Sequence, residues 1–340
     1  MEVLVAPDPI EVEEDDSQED MRIVRSLFDS GVPWFTKATL RRVGEQLDQY
    51  AAGTLEENRV LIDGVDGKTV AVPVPEVHDH KRLARGHPLG VNRRPLILYG
   101  SIQSMTDKDR IFGHFSRSPY LSLAIAYRYE PTPDGQKDTT LSAAELGQIL
   151  ASCKREWEAS PEYTALRASI ISNPVLSKAR KVVGFSLGPA VYGDNADCGH
   201  DHSLFQYALL LSLRELVAEN NRTDEVPCFA QDPALCPVAT EMLQRAGITV
   251  LTDPYAFLEV DDTSIVVSIS SNIPVKQIVT EIARPVGILW PPGTVEEEKG
   301  KNLTDPTSPR VEAMLENEYV DIGFPKYRPF SRNNFYMRKE

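Results

Sequence analysis

The stretch that decides the fold is KVVGFSLGPAVYGDNADCGHDHSLFQYALLLSLRELVA, residues 181–218. It opens with a short apolar run, 182–185, and it closes with residues 204–217, which are apolar on nearly every side. The first run predicts a strand, and the last predicts a buried helix. A strand, a glycine-containing turn and a buried helix are typical of the opening of a βαβ unit.

The turn after this strand is the first place to look for chemistry, because ligands of open α/β sheets bind outside the carboxyl ends of the strands. Ser186, Gly188 and Tyr192 follow the strand and are candidate site residues. Ser186 and Tyr192 are the candidate catalytic residues, and Gly188 is a candidate for substrate binding. The alternative is that Gly184 and Gly188 serve only a tight turn and close packing.

Ser186 also has the literal spacing of a nucleophile elbow, since Gly184 and Gly188 flank it at two residues on either side. An elbow enters its helix at once, whereas here Pro189 and a polar loop come before the helix. We therefore treat Ser186 as a candidate nucleophile at a strand end, for which no histidine can be assigned as the base.

The pattern after residue 181 predicts the order β-α-β-α-β-β-α-β, which is typical of a doubly wound sheet. The predicted fold class is α/β, with a Rossmann-like, doubly wound, mostly parallel sheet and an N-terminal extension of helices and a hairpin. The predicted domains are an acidic disordered tail (1–20), N-terminal helices and a hairpin packed on the core (21–94), and the Rossmann-like core (95–340).

Composition and charge narrow the class of protein. The chain has 340 residues, 41% hydrophobic and 25% charged, which is an ordinary globular profile. Its net charge is −14, of which nine acids in residues 1–20 supply −9, leaving −5 for the rest. A uniformly basic nucleic-acid surface is therefore excluded, but a local basic patch is allowed. Four scattered cysteines and the lack of a membrane-length apolar run predict a reduced, cytoplasmic protein without a membrane partner.

The segment 78–94 is the most basic in the chain, and it could contact phosphates. The alternative is a solvated charged loop. Its candidate tRNA-binding residues are Lys81, Arg82, Arg85, Arg93 and Arg94.

Polar residues at the ends of predicted strands are candidates for substrate binding. Aspartates there could grip a guanidinium group, or they could simply cap turns and helices. The candidates are Asp232, Asp261, Asp262, Ser270, Asn272 and Ser101.

Metal and cofactor signatures are weak. Cys198, His200 and His202 cluster before the buried helix, but we favour helix capping by the neighbouring Asp201 over a metal site. No nucleotide-binding glycine motif is present, so we predict no cofactor. Residues 15–19 form a D-D-x-x-E string inside the acidic tail.

Several segments together resemble the fungal branch of the sensitivity-to-red-light-reduced-like domain family. They are GVPWFTK (31–37), KVVGFSLG (181–188), FQYALLLSLR (205–214), QDP (231–233), IPVKQIV (273–279) and RPVGILW (284–290). The resemblance extends over most of residues 25–338 and implies a Rossmann-like α/β core. Links to regulation and haem metabolism exist in that family.

Within that family the chain resembles arginine-containing cyclodipeptide synthases, with which a D-D-x-x-E motif is associated. The resemblance implies an enzyme that takes two aminoacyl-tRNAs, one of them arginyl-tRNA, and makes a cyclic dipeptide without ATP. Ser186 would accept the first aminoacyl group, and an aspartate would hold the guanidinium. Backbone N–H groups near Gly188 would stabilise the oxyanion. The rival hypothesis is a non-catalytic regulatory or haem-binding protein with Cys198, His200 or His202 as ligand.

Overall fold

The computed structural model describes residues 14–75, 83–84, 87–91, 94–106, 119–127, 129–131, 141–190, 200–269, 271–330 and 332–340. For residues 14–17, 83–84, 87–91, 129–131 and 200–201 it describes only the backbone. The chain divides into two compact units, Met1–Asp138 and Thr139–Glu340.

The first unit combines three helices with short antiparallel sheets. Strands β1 and β2 form a hairpin, β3, β4 and β7 form a second sheet, and β5 pairs with β6. Its elements are α1 (Glu14–Asp29), α2 (Lys37–Ala51), a 3-10 helix (Glu56–Asn58), β1 (Arg59–Asp63), β2 (Thr69–Pro73), β3 (Leu83–Ala84), β4 (His87–Val91), β5 (Leu96–Tyr99), α3 (Ile102–Thr106), β6 (Leu123–Ala126) and β7 (Tyr129–Pro131).

Two features of this unit differ from the sequence-based expectation. Helix α1 begins at Glu14, although the acidic stretch to residue 20 was expected to be disordered. Acidic residues near a helix N-terminus are favoured by the helix dipole, and Asp20 accepts a hydrogen bond from the Tyr120 hydroxyl at 2.7 Å. Strand β5, which the predicted domain boundary at residue 95 assigned to the Rossmann-like core, pairs with β6 in this unit.

The second unit holds the large sheet and its covering helices. Its elements are α4 (Ala143–Glu158), α5 (Pro161–Ile171), a 3-10 helix (Pro174–Lys178), β8 (Lys181–Phe185), α6 (His200–Asn221), β9 (Cys228–Gln231), α7 (Pro237–Arg245), β10 (Thr249–Val250), α8 (Tyr255–Glu259), β11 (Ser264–Ser268), α9 (Val275–Ile282), β12 (Gly287–Trp290), α10 (Val295–Glu298), α11 (Pro309–Glu318), β13 (Tyr319–Asp321) and β14 (Asn334–Arg338).

The large sheet has seven strands in the order β10-β9-β8-β11-β12-β14-β13. The first five are parallel, and β14 is antiparallel to both β12 and β13. The chain winds outward from β8 in one direction through β9 and β10 and in the other through β11 and β12. The predicted α/β, doubly wound, mostly parallel fold is therefore confirmed, and its topological switch point lies between β8 and β11.

The deciding stretch forms the centre of this unit. All five residues of β11 are buried, as are four of the five in β8, which is typical of parallel strands covered on both faces. Residues 203–213 of α6 are buried as well, so the predicted buried helix is confirmed. Gly184 lets this helix approach the sheet, because a Cβ there would lie 3.1 Å from the Leu210 side chain.

The short helix α8 was not expected from the sequence, since five residues are too few to show a helical period. Cys153 and Cys228 are buried free thiols and Cys236 is a half-buried one, while Cys198 lies outside the described residues. Among the helices of the described residues, none combines the length and the apolar character that a membrane crossing requires.

Candidate functional site at the carboxyl ends of the central strands

Ser186 directly follows β8 at the switch point of the sheet. Its φ is +52°, a left-handed conformation that non-glycine residues rarely adopt. Its N–H donates to the Gln231 carbonyl at 3.0 Å, and its Oγ lies 3.1 Å from the Ser271 Oγ. Strained backbone of this kind persists only where neighbours hold it, and it concentrates at functional sites.

The turn after Ser186 is held by Asp232, which follows β9. The Gly188 N–H donates to Asp232 Oδ2 at 2.6 Å, and the Ala234 N–H donates to Oδ1 at 2.8 Å. The sequence-predicted residues Ser186, Gly188 and Asp232 are thus brought together at one edge of the sheet. The Gly188 N–H is already used by Asp232, however, so it is not available to an oxyanion.

Gly188 itself meets a steric requirement. Its φ is +90°, and a Cβ at this position would lie only 2.8 Å from the Ser203 Cβ. The Tyr207 hydroxyl donates to the Gly188 carbonyl at 3.0 Å, which fixes the turn against α6. Both roles suggested for this glycine from the sequence, a tight turn and close packing, are present.

A second layer of hydrogen bonds lies below this turn. The buried Gln231 side chain donates to Asp253 Oδ1 at 2.8 Å and accepts from the Ala256 N–H at 3.0 Å. Because the Gln231 carbonyl also binds the Ser186 N–H, this layer connects the start of α8 to the strained serine. The carboxyl end of β9 therefore supports the turn at two successive residues.

A cavity of about 700 Å³ opens beside Ser271, beyond the carboxyl ends of β11 and β12. We call it the β11–β12 cavity, and it joins the Ser186 turn through the Ser186–Ser271 hydroxyl pair. The residues that line it are Ser271, Asn272, Lys276, Pro291, Pro292, Gly293, Glu297, Glu298, Lys301, Leu303, Thr304, Asp305 and Arg332.

One wall of the β11–β12 cavity contains a buried pair of charges. The Lys276 side chain is only 3% exposed, and its Nζ lies 3.5 Å from Glu298 Oε1 and 3.2 Å from Thr307 Oγ1. Glu298 also accepts hydrogen bonds from the Thr307 N–H at 2.6 Å and hydroxyl at 3.0 Å. Buried charges are tolerated when they are paired and hydrogen-bonded in this way.

Asp305 is a group of the cavity lining whose pKa is shifted towards neutrality. Its Oδ1 accepts the Lys276 N–H at 3.0 Å, in the first turn of α9. Burial and, to a smaller extent, the charge of Glu298 raise the pKa of Asp305 to about 7. The Lys276 ammonium and N–H act in the opposite direction. Asp305 therefore exchanges its proton near neutral pH.

Asp261 and Asp262 lie at the opposite edge of the sheet, because they precede β11 instead of following it. Asp261 Oδ2 is 3.1 Å from Lys181 Nζ, and Asp262 Oδ1 accepts the Arg284 N–H at 2.8 Å. Burial opposes the effect, but hydrogen bonds from Thr263 and Lys181 lower the pKa of Asp261 to about 2. These two aspartates form contacts at the amino edge of the sheet and do not lie near Ser186.

Other candidates are placed elsewhere or lie outside the described residues. Ser101 lies in the first unit, where its Oγ accepts the Ser104 N–H at 3.0 Å. Asn272 lines the β11–β12 cavity, and Arg94 pairs with Asp48 at 2.7 Å. The candidates outside the described residues are Tyr192, Ser270, Lys81, Arg82, Arg85 and Arg93.

The weaker motifs are placed only in part. The D-D-x-x-E string begins in the first turn of α1, and its Glu19 is 3.4 Å from Arg22. His202 is half-buried in the first turn of α6, whereas Cys198 and the His200 side chain are not described. Over the described ranges, no group of three or more His, Cys, Asp or Glu side chains could hold a metal ion.

Sequence reasoning missed Lys276, Glu298 and Asp305, which it left in a helix and a polar loop. One signal could have found them. Lys276 and Gln277 interrupt an otherwise apolar helical run, and both are buried. A buried lysine needs a partner of opposite charge, which the acidic loop 294–305 supplies.

Fold and site together define an α/β protein with a polar crevice at the switch point of a Rossmann-like sheet. Residues 166–311, which include β8 to β12, match the model of the SRR1 domain. This match supports the resemblance to the sensitivity-to-red-light-reduced-like family. No curated protein sequence matches the chain significantly.

One similar solved structure is the O-methyltransferase from Bacillus cereus in complex with SAH. It is 13% identical, and the match covers 60% of this chain and 92% of the methyltransferase with a TM-score of 0.30. A likeness this distant supports no argument about substrate or reaction.

Proposed function

We propose that the carboxyl edge of the sheet is an acyl-transfer site and that the chain is a tRNA-dependent cyclodipeptide synthase. Arginine from arginyl-tRNA would be joined to a second aminoacyl group as a diketopiperazine. The observation that carries this proposal is Ser186, a hydroxyl on strained backbone at the end of the central strand. It hydrogen-bonds Ser271 at the entrance of a cavity of ligand size.

In the first step the Ser186 Oγ attacks the ester carbonyl of arginyl-tRNA. The new bond joins Oγ to the carbonyl carbon, and the bond from that carbon to the ribose oxygen breaks. The hydroxyl proton leaves Ser186 through the Ser271 hydroxyl, its hydrogen-bond partner at 3.1 Å, and finally restores the ribose hydroxyl. The products are an arginyl ester on Ser186 and free tRNA.

In the second step the amine of the second aminoacyl-tRNA attacks the seryl ester. An amide forms, Ser186 recovers its proton, and a dipeptidyl-tRNA results. The free amine of the arginyl residue then attacks the remaining tRNA ester, which closes the ring and releases the second tRNA. The two activated esters supply the energy, so no ATP is consumed and no cofactor takes part.

The oxyanion of the first step needs hydrogen-bond donors, and the Leu187 N–H is the nearest candidate. It comes directly after Ser186, the position that supplies this donor in nucleophile elbows. It donates to no acceptor within the described part of the chain. Gly188, the earlier candidate, has its N–H committed to Asp232.

Recognition of the guanidinium falls to Asp232, because Asp261 and Asp262 lie at the other edge of the sheet. Asp232 is half-buried, and its two oxygens accept the N–H groups of Gly188 and Ala234. In this proposal Asp232 both shapes the turn and binds the arginyl side chain.

Mass spectrometry of small molecules from cells that express the chain tests the proposal. The wild type is expected to form a new cyclic dipeptide that contains arginine, and Ser186→Ala is expected to form none. Ser177→Ala is the matched control, because Ser177 is an exposed serine whose hydroxyl donates only to the Pro174 carbonyl.

Full product formation by a folded Ser186→Ala variant would remove the nucleophile from the proposal. If folded wild-type protein forms no product, the synthase hypothesis is ruled out and the hypothesis of a haem-binding protein is favoured. A haem titration is then the next test.

A further inference from the structure

The β11–β12 cavity is large enough for an organic molecule. Its volume of about 700 Å³ falls inside the range of about 300–1,000 Å³ that is usual for small-molecule sites. Pro291, Pro292 and Leu303 supply apolar lining, and Asn272 and Thr304 supply polar groups. An occupant can therefore pack an organic body against the prolines while it hydrogen-bonds Asn272 or Thr304.

Two cationic side chains on this lining have no anionic partner among the described residues. Lys301 and Arg332 are exposed, and neither forms an ion pair with any other described residue. Lys276, by contrast, pairs with Glu298 in the same cavity. Lys299, which is two residues from Lys301 but does not line the cavity, pairs with Glu296 at 3.7 Å.

The acidic groups of the cavity are engaged. Glu298 is bound by Lys276 and by the N–H and hydroxyl of Thr307, and Glu297 Oε2 accepts the Thr294 N–H at 3.2 Å in a capping box. Asp305 binds the Lys276 N–H. Hydrogen bonds leave the charges of Glu297 and Glu298 in place, so the three cations of the lining give it a net charge of +1 when Asp305 is neutral. Lys301 and Arg332 are the cations that no described carboxylate pairs with, and they favour an anion.

We propose that the β11–β12 cavity binds a phosphorylated organic molecule of nucleotide size. Lys301 and Arg332 hold its phosphate, and Pro291, Pro292 and Leu303 cover its organic body. A phosphate carries up to two charges and several acceptor oxygens, so it satisfies both cations at once. This inference rests on the cavity alone, and it stands whether or not Ser186 transfers an acyl group.

Asp305 makes this site sensitive to pH. Around it are the Lys276 ammonium and N–H from α9, Glu298 from α10, Glu297, and the cations Lys301 and Arg332 on the same lining. Because the pKa of Asp305 is raised to about 7, the carboxyl is mostly neutral at pH 6 and mostly ionised at pH 8. An ionised Asp305 repels a phosphate, so binding weakens as the pH rises.

Calorimetric titration of the full chain with adenosine 5′-monophosphate tests the proposal, and adenosine is the control ligand. The nucleotide is expected to bind and adenosine to bind at least about tenfold more weakly, because charge-assisted hydrogen bonds contribute roughly this much each. Lys301→Ala and Arg332→Ala are each expected to lower nucleotide affinity about tenfold, whereas Lys299→Ala leaves it unchanged.

Asp305→Asn tests the pH sensitivity. The phosphate of the nucleotide itself titrates with a second pKa of about 6, so this variant supplies the reference profile. Relative to Asp305→Asn, the wild type is expected to lose up to about tenfold in affinity between pH 6 and pH 8. Parallel profiles would overturn the role of Asp305.

Three results would overturn the site itself. They are no binding by folded wild-type protein, equal binding of nucleotide and adenosine, and unchanged affinity in the Lys301→Ala/Arg332→Ala double variant. If inorganic phosphate binds but adenosine 5′-monophosphate does not, the claim that the ligand has the size of a nucleotide is wrong. Because no arm measures product, failure here is separate from failure of the acyl-transfer proposal.

Discussion

The two edges of the large sheet use aspartates in opposite ways. At the amino edge Asp261 pairs with Lys181 at 3.1 Å and receives two hydrogen bonds from Thr263. At the carboxyl edge Asp232 holds a strained turn, and burial raises the pKa of Asp305 to about 7. Among the described residues, Asp261 and Asp262 of the amino edge are held by Lys181, Thr263 and the Arg284 N–H. The carboxyl edge instead has the strained backbone of Ser186 and the cations Lys301 and Arg332, as expected of the edge where ligands bind.

The largest expected effect is on formation of the cyclic dipeptide, which a substitution at the carboxyl edge should abolish and one at the amino edge should not. Ser186→Ala should lower formation of the cyclic dipeptide by about a thousandfold or more, because no other hydroxyl among the described residues of the turn lies on a left-handed backbone. Asp262→Asn, at the amino edge, should leave activity near the wild-type rate. Product is measured by mass spectrometry beside a melting curve for each variant. Equal losses in both variants would erase the distinction.

The next effect concerns the support of the turn. Asp232→Ala should lower the free energy of unfolding by about 1–3 kcal/mol, because it leaves the Gly188 and Ala234 N–H groups without their acceptor. Urea denaturation measures the change. Asp232→Asn, which keeps one acceptor oxygen, should cost less. An unchanged unfolding midpoint in Asp232→Ala would show that the turn does not depend on this carboxylate.

Asp305→Asn should stabilise the protein at alkaline pH. The folded-state pKa of Asp305 is raised to about 7 from 3.8, so the folded protein binds this proton more tightly than the unfolded chain. Stability is therefore lost as the pH rises from about 4 to 7, and the variant avoids that loss. Its melting temperature should exceed that of the wild type by a few degrees at pH 8, but not at pH 4. A constant difference across this range would contradict the assignment.

The smallest expected effect concerns Asp261 at the amino edge, whose pKa is shifted in the opposite direction to that of Asp305. The folded-state pKa of Asp261 is lowered to about 2, so its contribution is present above the unfolded value of 3.8 and lost as the pH falls towards 2. Asp261 is 43% exposed, so solvent screening limits the contribution to about 1 kcal/mol or less. Asp261→Asn should lower the melting temperature at pH 7, and the difference should vanish near pH 2. A difference in melting temperature that grows as the pH falls would show that the pKa of Asp261 is not lowered in the folded protein.

The same contrast explains how far the sequence could predict the molecule. Periodicity and composition identified β8, α6 and the doubly wound sheet, because burial on both faces leaves continuous apolar runs. Proximity to a strand also singled out Asp232, Asp261 and Asp262. Asp232 follows β9, whereas Asp261 and Asp262 precede β11, so they occupy opposite edges of the sheet. Grouping all three by proximity to a strand end overlooked that order.

The β11–β12 cavity lay beyond sequence reasoning for a different reason. Its charges come from α9, from the loop after β12 and from Arg332, which only the tertiary fold brings to one lining. Lys276 and Asp305 are 29 residues apart in the chain, and no local pattern connects them. The conformation of Ser186 is likewise held by hydrogen bonds with Gln231, in β9, and with Ser271, in the segment after β11.

The central claim is that Ser186 carries the acyl group at the carboxyl edge. Intact-protein mass spectrometry after acid quenching of the purified chain with arginyl-tRNA tests it most directly. The account predicts that the intact protein gains the mass of one arginyl group, and that this gain is absent from Ser186→Ala and retained in Ser177→Ala. An unmodified, folded wild-type protein, or an arginyl group that persists in Ser186→Ala, would contradict it.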